Sequence, residues 1–295
     1  MDEKTQKEIW NPAGGDMTKE GMDLRIKAAV SQRGWREVVR IFEKRGIPVS
    51  ALKVAEVGSG SGTMALTFGL MGASVTLIDF NEKALERSRN IYEMYGCAAR
   101  FLGKDCLEDP PAELINTFDL VMSIGLMEHF SGNNRKRGME YHRLLAKKGG
   151  IVFLIVPNRR NLFYWLIRGI RTLTGTWTID VEIPFSSSEL IKAARETGFA
   201  DAYVIGYTGL WRDLVDNICG SGYAILDSLP KRQIALLKGL KARMEKRPLL
   251  RTQTNEKIRA YCEQMAKAVQ RRASSGAISR IAGAYCSMLT LIAFK

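Results

Sequence analysis

Three acids stand where carboxylates could do chemistry: Glu56, Asp79 and Asp105. Each closes or follows a short apolar run, in "KVAEV", "VTLID" and "FLGKD". Between the first two lies "GSGSG", with Gly58, Gly60 and Gly62 at every second position and Ser59 inside the loop. A backbone that must approach a ligand needs glycine, because a Cβ would collide. The G-x-G-x-G spacing departs from the G-x-G-x-x-G of dinucleotide loops, whose glycines and helix N-terminus receive a pyrophosphate. Glu56, two residues before the loop, is a poor neighbour for a pyrophosphate and a good one for an ammonium or sulfonium. Asp79 can accept from both hydroxyls of a ribose, and Asp105 from an exocyclic adenine amine. The ribose role is common to NAD and to S-adenosylmethionine (SAM).

These residues need a sheet to hold them. Residues 54–57, 74–78, 99–102, 118–123 and 150–156 read as buried strands, and 63–70, 82–95 and 135–146 as helices between them. That alternation predicts a parallel sheet covered on both faces. Further on, 161–171 and 187–197 read as helices, the second with a Ser cap and Gly198 as its stop. Residues 202–207 and 287–294 read as strands. The stretch between them is mostly helical, with Ile258, Tyr261, Cys262, Met265 and Val269 on one face. If the last two strands pair, that stretch is an insertion. The division expected is an N-terminal helical lid (1–50), a cofactor-binding core (51–208), a basic helical insertion (209–283) and a final core strand (284–295). Trp10, Trp35, Val38, Val39, Ile41 and Phe42 supply apolar anchors for the first segment.

The 295 residues are enough for one large core with an insertion. No apolar run reaches the ~18 residues that span a bilayer, and the charged start lacks a signal-peptide core. Five cysteines, including Cys97, Cys106 and Cys262, are scattered without CxxC spacing. They argue against a disulfide framework or a metal site and suit a reducing cytosol. The net charge of +13 is uneven, for residues 231–280 carry fourteen lysines and arginines against three glutamates. Such a segment is either a solvated helix face or a surface for an anionic partner, a membrane or a nucleic acid.

Glu56, the glycine triplet, Asp79 and Asp105, at the ends of successive strands, resemble the class I SAM-dependent methyltransferase family over about residues 45–207. The resemblance implies an α/β, Rossmann-like, seven-stranded, mostly parallel sheet with an antiparallel last strand, here carrying a helical insertion. It implies SAM as cofactor, with Phe80 and Cys106 beside the two aspartates in the binding set and the backbone carbonyl of Ser123 on the SAM amine. Base- and amide-modifying members carry a D/N-P-P-Y/F turn after the fourth strand. This chain has "LMEHF" there, and its "DPPA" at 109–112 precedes that strand and reads as a rigid turn. Nucleic acid is therefore not the expected substrate.

Glu128-His129, Asn158-Arg159 and Trp10-Asn11-Pro12 with Arg25 are similar to the ubiquinone-biosynthesis O-methyltransferase group. Met22 stands where that group has Asn, and the basic insertion is not in its pattern. The implied acceptor is a hydrophobic small molecule. His129 reads as the general base or as a helix-end packing residue. Glu128 reads as its partner, a metal assistant or a helix cap. Arg25 suits the SAM carboxylate or an exposed helix face. His142 reads as structural. Cyclopropane-forming lipid enzymes of the same fold are a further reading, supported in part by Glu128, His129 and Tyr141. Finally, "NRRNLFYWLIRGIR" sets Phe163, Tyr164, Trp165, Leu166, Ile167 and Ile170 beside Arg159, Arg160, Arg168 and Arg171. This composition suits the headgroup region of an anionic membrane, or a lid. The location expected is cytoplasmic, with peripheral contact to that membrane.

Overall fold

The structure, a computed structural model, describes residues 18–173, 182–207, 254–272 and 288–295. Trp10-Asn11-Pro12, Cys219, Cys286 and most of the basic insertion lie outside the described residues. Seven strands form one sheet in the order β3-β2-β1-β4-β5-β7-β6. They are β1 (Lys53–Val57), β2 (Ser74–Asp79), β3 (Arg100–Gly103), β4 (Phe118–Ile124), β5 (Ala146–Pro157), β6 (Asp201–Tyr207) and β7 (Met288–Phe294). The first five are parallel neighbours, and β7 runs antiparallel to both β5 and β6. The doubly covered sheet and the pairing of the last two strands are as the sequence implied.

Eight α-helices stand among the described residues: α1 (Lys19–Ser31), α2 (Arg33–Lys44), α3 (Thr63–Gly69), α4 (Glu82–Met94), α5 (Gly132–Leu145), α6 (Leu162–Leu173), α7 (Ser187–Glu196) and α8 (Asn255–Arg272). Each strand divides its side chains between two cores. On β5, Ile151, Phe153 and Ile155 join one, and Val152, Leu154 and Val156 the other. This period of two is what makes parallel strands read as continuous apolar runs. The first core takes in α1–α4 and α8, the second α5 and α7.

The N-terminal helices are part of the first core. Met22, Ile26, Trp35 and Val38 are fully buried, and the Trp35 indole N–H donates to Thr67 Oγ1 on α3 at 2.8 Å. Met22, the departure from the family group's Asn, is thus a core residue. In α8, Ile258 and Cys262 are buried against α1 and α2, while Lys257, Arg259 and Lys267 are exposed. Asn255 Nδ2 donates to the Met94 carbonyl at the end of α4 (3.0 Å), anchoring the helix to the core. The helix over 187–196 begins with a capping box between Ser186 and Glu189. Gly198 (φ +87°) follows its end.

Candidate functional site

The carboxyl ends of β1, β2, β3 and β4 meet at one edge of the sheet, where ligands collect in this architecture. In the glycine loop, Gly58 (φ +60°), Gly60 (φ +54°) and Gly62 (φ +63°) all adopt the left-handed conformation. A Cβ on Gly58 would lie 2.7 Å from Leu126 Cδ1, and one on Gly62 would lie 2.6 Å from Leu77 Cδ1. A Cβ on Gly60 would meet nothing within 4 Å. The outer two glycines are therefore packed against protein, while the middle one borders open space.

Asp79 is bound to that loop. Its Oδ2 accepts from the Gly60 N–H and its Oδ1 from the Asn81 N–H, both at 2.9 Å. Each carboxylate oxygen retains a lone pair for a hydroxyl. Burial pushes its pKa up against those backbone donors. Glu56 lies beneath the loop, and its Oε2 accepts from the Ala65 N–H in the first turn of α3 at 2.8 Å. Burial pushes the Glu56 carboxyl up to about 8; the Ala65 bond opposes this and the nearby Asp79 adds to it. With a pKa of about 8 the acid is mostly protonated at neutral pH in the ligand-free protein, and a cation placed beside it would favour the charged form.

Beyond β3, Asp105 is half-buried and its Oδ1 accepts from the Leu107 N–H at 2.8 Å. Cys106 is buried, and burial followed by the Asp105 charge pushes its thiol up to about 12. A thiol so placed is inert as a nucleophile. The Tyr141 ring from α5 packs in the same core as Cys106, with its hydroxyl buried and unpartnered. Tyr141 is a binding candidate that the sequence suggested only for a different chemistry. Phe80 is half-buried directly after Asp79. The "DPPA" segment forms a turn, Pro111 leading a 3₁₀ stretch over Ala112–Leu114 before β4.

The Ser123 hydroxyl at the end of β4 and the Ser59 hydroxyl in the glycine loop are buried without partners. Gly125 (φ +70°) turns the chain into a 3₁₀ turn, Met127–His129. Glu128 is only 3% exposed, and its Oε2 has no hydrogen-bond partner. Burial pushes the Glu128 carboxyl up to about 8, with Glu182 adding to the shift and Arg135 opposing it. His129 beside it is half-buried. His142 is fully buried on α5, with Nδ1 2.7 Å from the Gly138 carbonyl, and burial lowers it to about 4.

A strap, residues 182–186, crosses this region. The Ile183 N–H donates to the Glu128 carbonyl (2.7 Å), the Phe185 N–H to Pro157 (3.0 Å), and the Arg159 N–H to Phe185 (2.8 Å). Arg135 donates to the Ile183 carbonyl and lies 3.7 Å over the Phe185 ring. Arg159 pairs with Glu189 at 2.7 Å. Asn158, Arg159 and Glu128, distant in sequence, are thus brought together. Arg25 is not; it stands exposed on α1 with no hydrogen bond or ion pair to the loop residues. Among the described residues no three His, Cys, Asp or Glu side chains are grouped to hold a metal ion.

A seven-stranded sheet with its antiparallel strand in this place, and a glycine loop closed by an aspartate, define a Rossmann-like methyltransferase. A family model described as "Methyltransferase domain" matches residues 54–150. The ubiquinone biosynthesis O-methyltransferase of Thiobacillus denitrificans is 30% identical over 168 residues, covering 55% of this chain and 70% of that protein. That of Pseudomonas aeruginosa is 30% identical over 172 residues, 57% of this chain and 72% of the relative. A phosphoethanolamine N-methyltransferase 2 of Haemonchus contortus, solved with S-adenosyl-L-methionine, shares the fold at TM-score 0.53 and 14% identity. That likeness covers 98% of this chain and 59% of the other. The chain belongs to the class I SAM-dependent methyltransferases and is related to the ubiquinone biosynthesis O-methyltransferases. Its cofactor is SAM.

Proposed function

We propose that the protein methylates a hydroxyl of a hydrophobic small molecule of quinone-, prenyl- or lipid-like character. The observation that carries this reading is Glu128: a buried carboxyl with one unpartnered oxygen, at the end of β4 beside the loop that Leu126 packs against. When bound, SAM supplies an electrophilic methyl group on a sulfonium. Gly60 leaves room for it, and Gly58 and Gly62 hold the loop open. Asp79 takes the ribose hydroxyls on its free lone pairs, with Phe80 alongside. Asp105, Cys106 and Tyr141 border the adenine. Glu56 carries the compensating negative charge beneath the loop. Ser59 and the Ser123 carbonyl bind the amino-acid end; Arg25, exposed on α1, is not placed against it.

On the acceptor side, the ionised fraction of Glu128, with His129 beside it, would receive the hydroxyl proton as the oxygen–methyl bond forms and the sulfur–methyl bond breaks, its electron pair staying on a neutral thioether sulfur. The proton then leaves to water. Positioning of the two partners supplies the rest of the rate. Incubation with methyl-labelled SAM and a solvent extract of cell membranes tests this. Label in the organic phase, reduced about a hundredfold or more by Glu128→Gln, supports it. Label only in nucleic acid, or in a cyclopropane-bearing lipid, would replace it.

A second reading concerns place. Along α6, Leu162, Trp165, Leu166, Ile170 and Leu173 recur at helical spacing and are exposed, Leu162 by 72% and Leu173 by 88%. Such a stripe favours peripheral contact with an anionic membrane. The charge available is smaller than the sequence suggests. Arg159 is paired with Glu189, and Arg168 donates to Tyr164 and to the Glu182 carbonyl. Among the described residues no helix is long and apolar enough to cross a membrane.

A further inference from the structure

Two buried tyrosines stand one turn apart, Tyr92 in α4 and Tyr95 at its C-cap, and no motif marks either of them. Both are 1% exposed, but their hydroxyls go to different places. Tyr95 Oη donates to Asp23 Oδ1 on α1 at 2.6 Å. Tyr92 Oη donates to the Gly62 carbonyl at 3.1 Å. Burial, and then Glu56, push the Tyr92 hydroxyl well above its ordinary range, so it remains a donor at any working pH. The ring abuts the glycine loop as well, for a Cβ on Gly62 would lie 3.2 Å from its Cε2. Its other neighbour is Phe101 on β3, which it meets edge-on with centroids 5.8 Å apart. The near part of the loop is tied to β2, since the Ser59 N–H donates to the Ile78 carbonyl at 3.2 Å and the Gly60 N–H to Asp79. The Gly62 carbonyl also accepts from the Leu66 N–H at 2.9 Å, and so opens α3. Tyr92 thus holds the far end of the loop, as Asp79 holds its middle.

We propose that Tyr92 is a positioning residue for the cofactor: acting through the Gly62 carbonyl, it fixes the end of the glycine loop in the conformation that receives SAM. Glycine has more backbone states open to it than any other residue, so a loop with three of them is held only by what bonds to it. Without the Tyr92 hydroxyl, ordering of the loop falls on the binding step, and its cost appears as lost affinity. Tyr95 supplies the contrast. It is equally buried at the end of the same helix, but its hydroxyl serves α1 and not the loop. The inference rests on the placement of SAM at this loop, which a Gly60→Arg variant tests separately.

The test needs no acceptor. SAM binding to the full-length protein is measured by calorimetry, with melting temperature and amide hydrogen exchange alongside. Tyr92→Phe removes one hydroxyl and keeps the ring. Its affinity for SAM should fall about threefold or more, the worth of one ordered hydrogen bond. Amides of residues 58–66 should exchange faster in the ligand-free variant. Tyr95→Phe removes the other hydroxyl, and should lower the melting temperature while leaving SAM affinity at the wild-type value. A smaller loss of affinity in Tyr92→Phe overturns the proposal. So does an equal loss in Tyr95→Phe, which would trace the effect to the stability of α4 as a whole. Weakened binding with unchanged exchange in the loop overturns it too, for the hydroxyl would then not act through Gly62. If Gly60→Arg abolishes binding and Tyr92→Phe does not weaken it, the positioning role alone falls. If Gly60→Arg binds SAM as the wild type does, the placement of the cofactor at the loop falls with it.

Discussion

Three glycines of one loop have separate duties. Gly62 needs its left-handed backbone and also lacks room, since an added Cβ would sit 2.6 Å from Leu77 and 3.2 Å from Tyr92. Gly60 shares the backbone requirement but has open space around it. Both Gly→Ala variants should lose about 1 kcal/mol to backbone strain. Gly62→Ala should lose about 1–3 kcal/mol more from overpacking. Chemical denaturation of the two variants measures the gap, and equal losses would contradict the packing described. Gly60→Arg tests the other duty. Its side chain would fill the ligand's space, so calorimetry should show SAM binding abolished with the fold retained. Unchanged affinity would refute the placement of the cofactor at this loop. The loop's spacing was legible in the sequence because left-handed turns depend on local backbone conformation. The division of labour was not, because Leu126, Leu77 and Tyr92 approach from elsewhere in the chain.

Among the elements, α6 has an amphipathic pattern whose apolar side is left uncovered by the described residues. Trp165 keeps its indole N–H on the Arg159 carbonyl at 2.7 Å while its ring is exposed, an arrangement suited to a membrane interface. Wild-type protein should sediment with vesicles rich in anionic lipid, less so as salt rises. A Trp165→Glu, Leu166→Glu double variant should remain in the supernatant with its melting temperature unchanged. Equal recovery of wild type with and without anionic vesicles would end the membrane reading. Sequence and structure diverge here at the arginines. A guanidinium counted as surface charge in the sequence is spent inside the fold when a carbonyl or carboxylate lies within reach, as at Arg168 and Arg159. The described part of the insertion likewise turns its apolar side to α1 and α2, keeping its basic residues outward.

At the scale of the whole molecule, burial of two acids makes stability depend on pH. Glu56 and Glu128 each have a folded pKa of about 8 against an ordinary 4.5. Between those values the folded state holds protons that the unfolded state releases. Stability therefore falls as pH rises through the window. His142 has the opposite sign, since its folded pKa of about 4 lies below 6.5, and it costs stability as pH drops below 6.5. Above 6.5 it is neutral in both states. The melting temperature of ligand-free protein should thus decline from pH 6.5 to 8, and Glu56→Gln should lessen that decline. A difference between Glu56→Gln and wild type that is constant over this range would show that Glu56 does not titrate there.

The alternation of strands and helices, the glycine loop and the order Glu56, Asp79, Asp105 were all readable from the sequence. Each depends on periodicity or on residues within a few positions of one another, and these the chain writes locally. The last strand was readable from its apolar run, and its antiparallel direction was implied by the family resemblance. What only the tertiary structure decided was which polar groups meet. Glu56 bonds into α3, Asp79 holds Gly60, and the strap bonds the Ile183 N–H to the Glu128 carbonyl across more than fifty residues. Arg25 reads like a ligand in the sequence and stands exposed, and Met22 sits in the core. The cofactor was therefore legible from the sequence, because its site is built on consecutive strand ends. The acceptor side was not, because contacts between segments far apart in the chain assemble it.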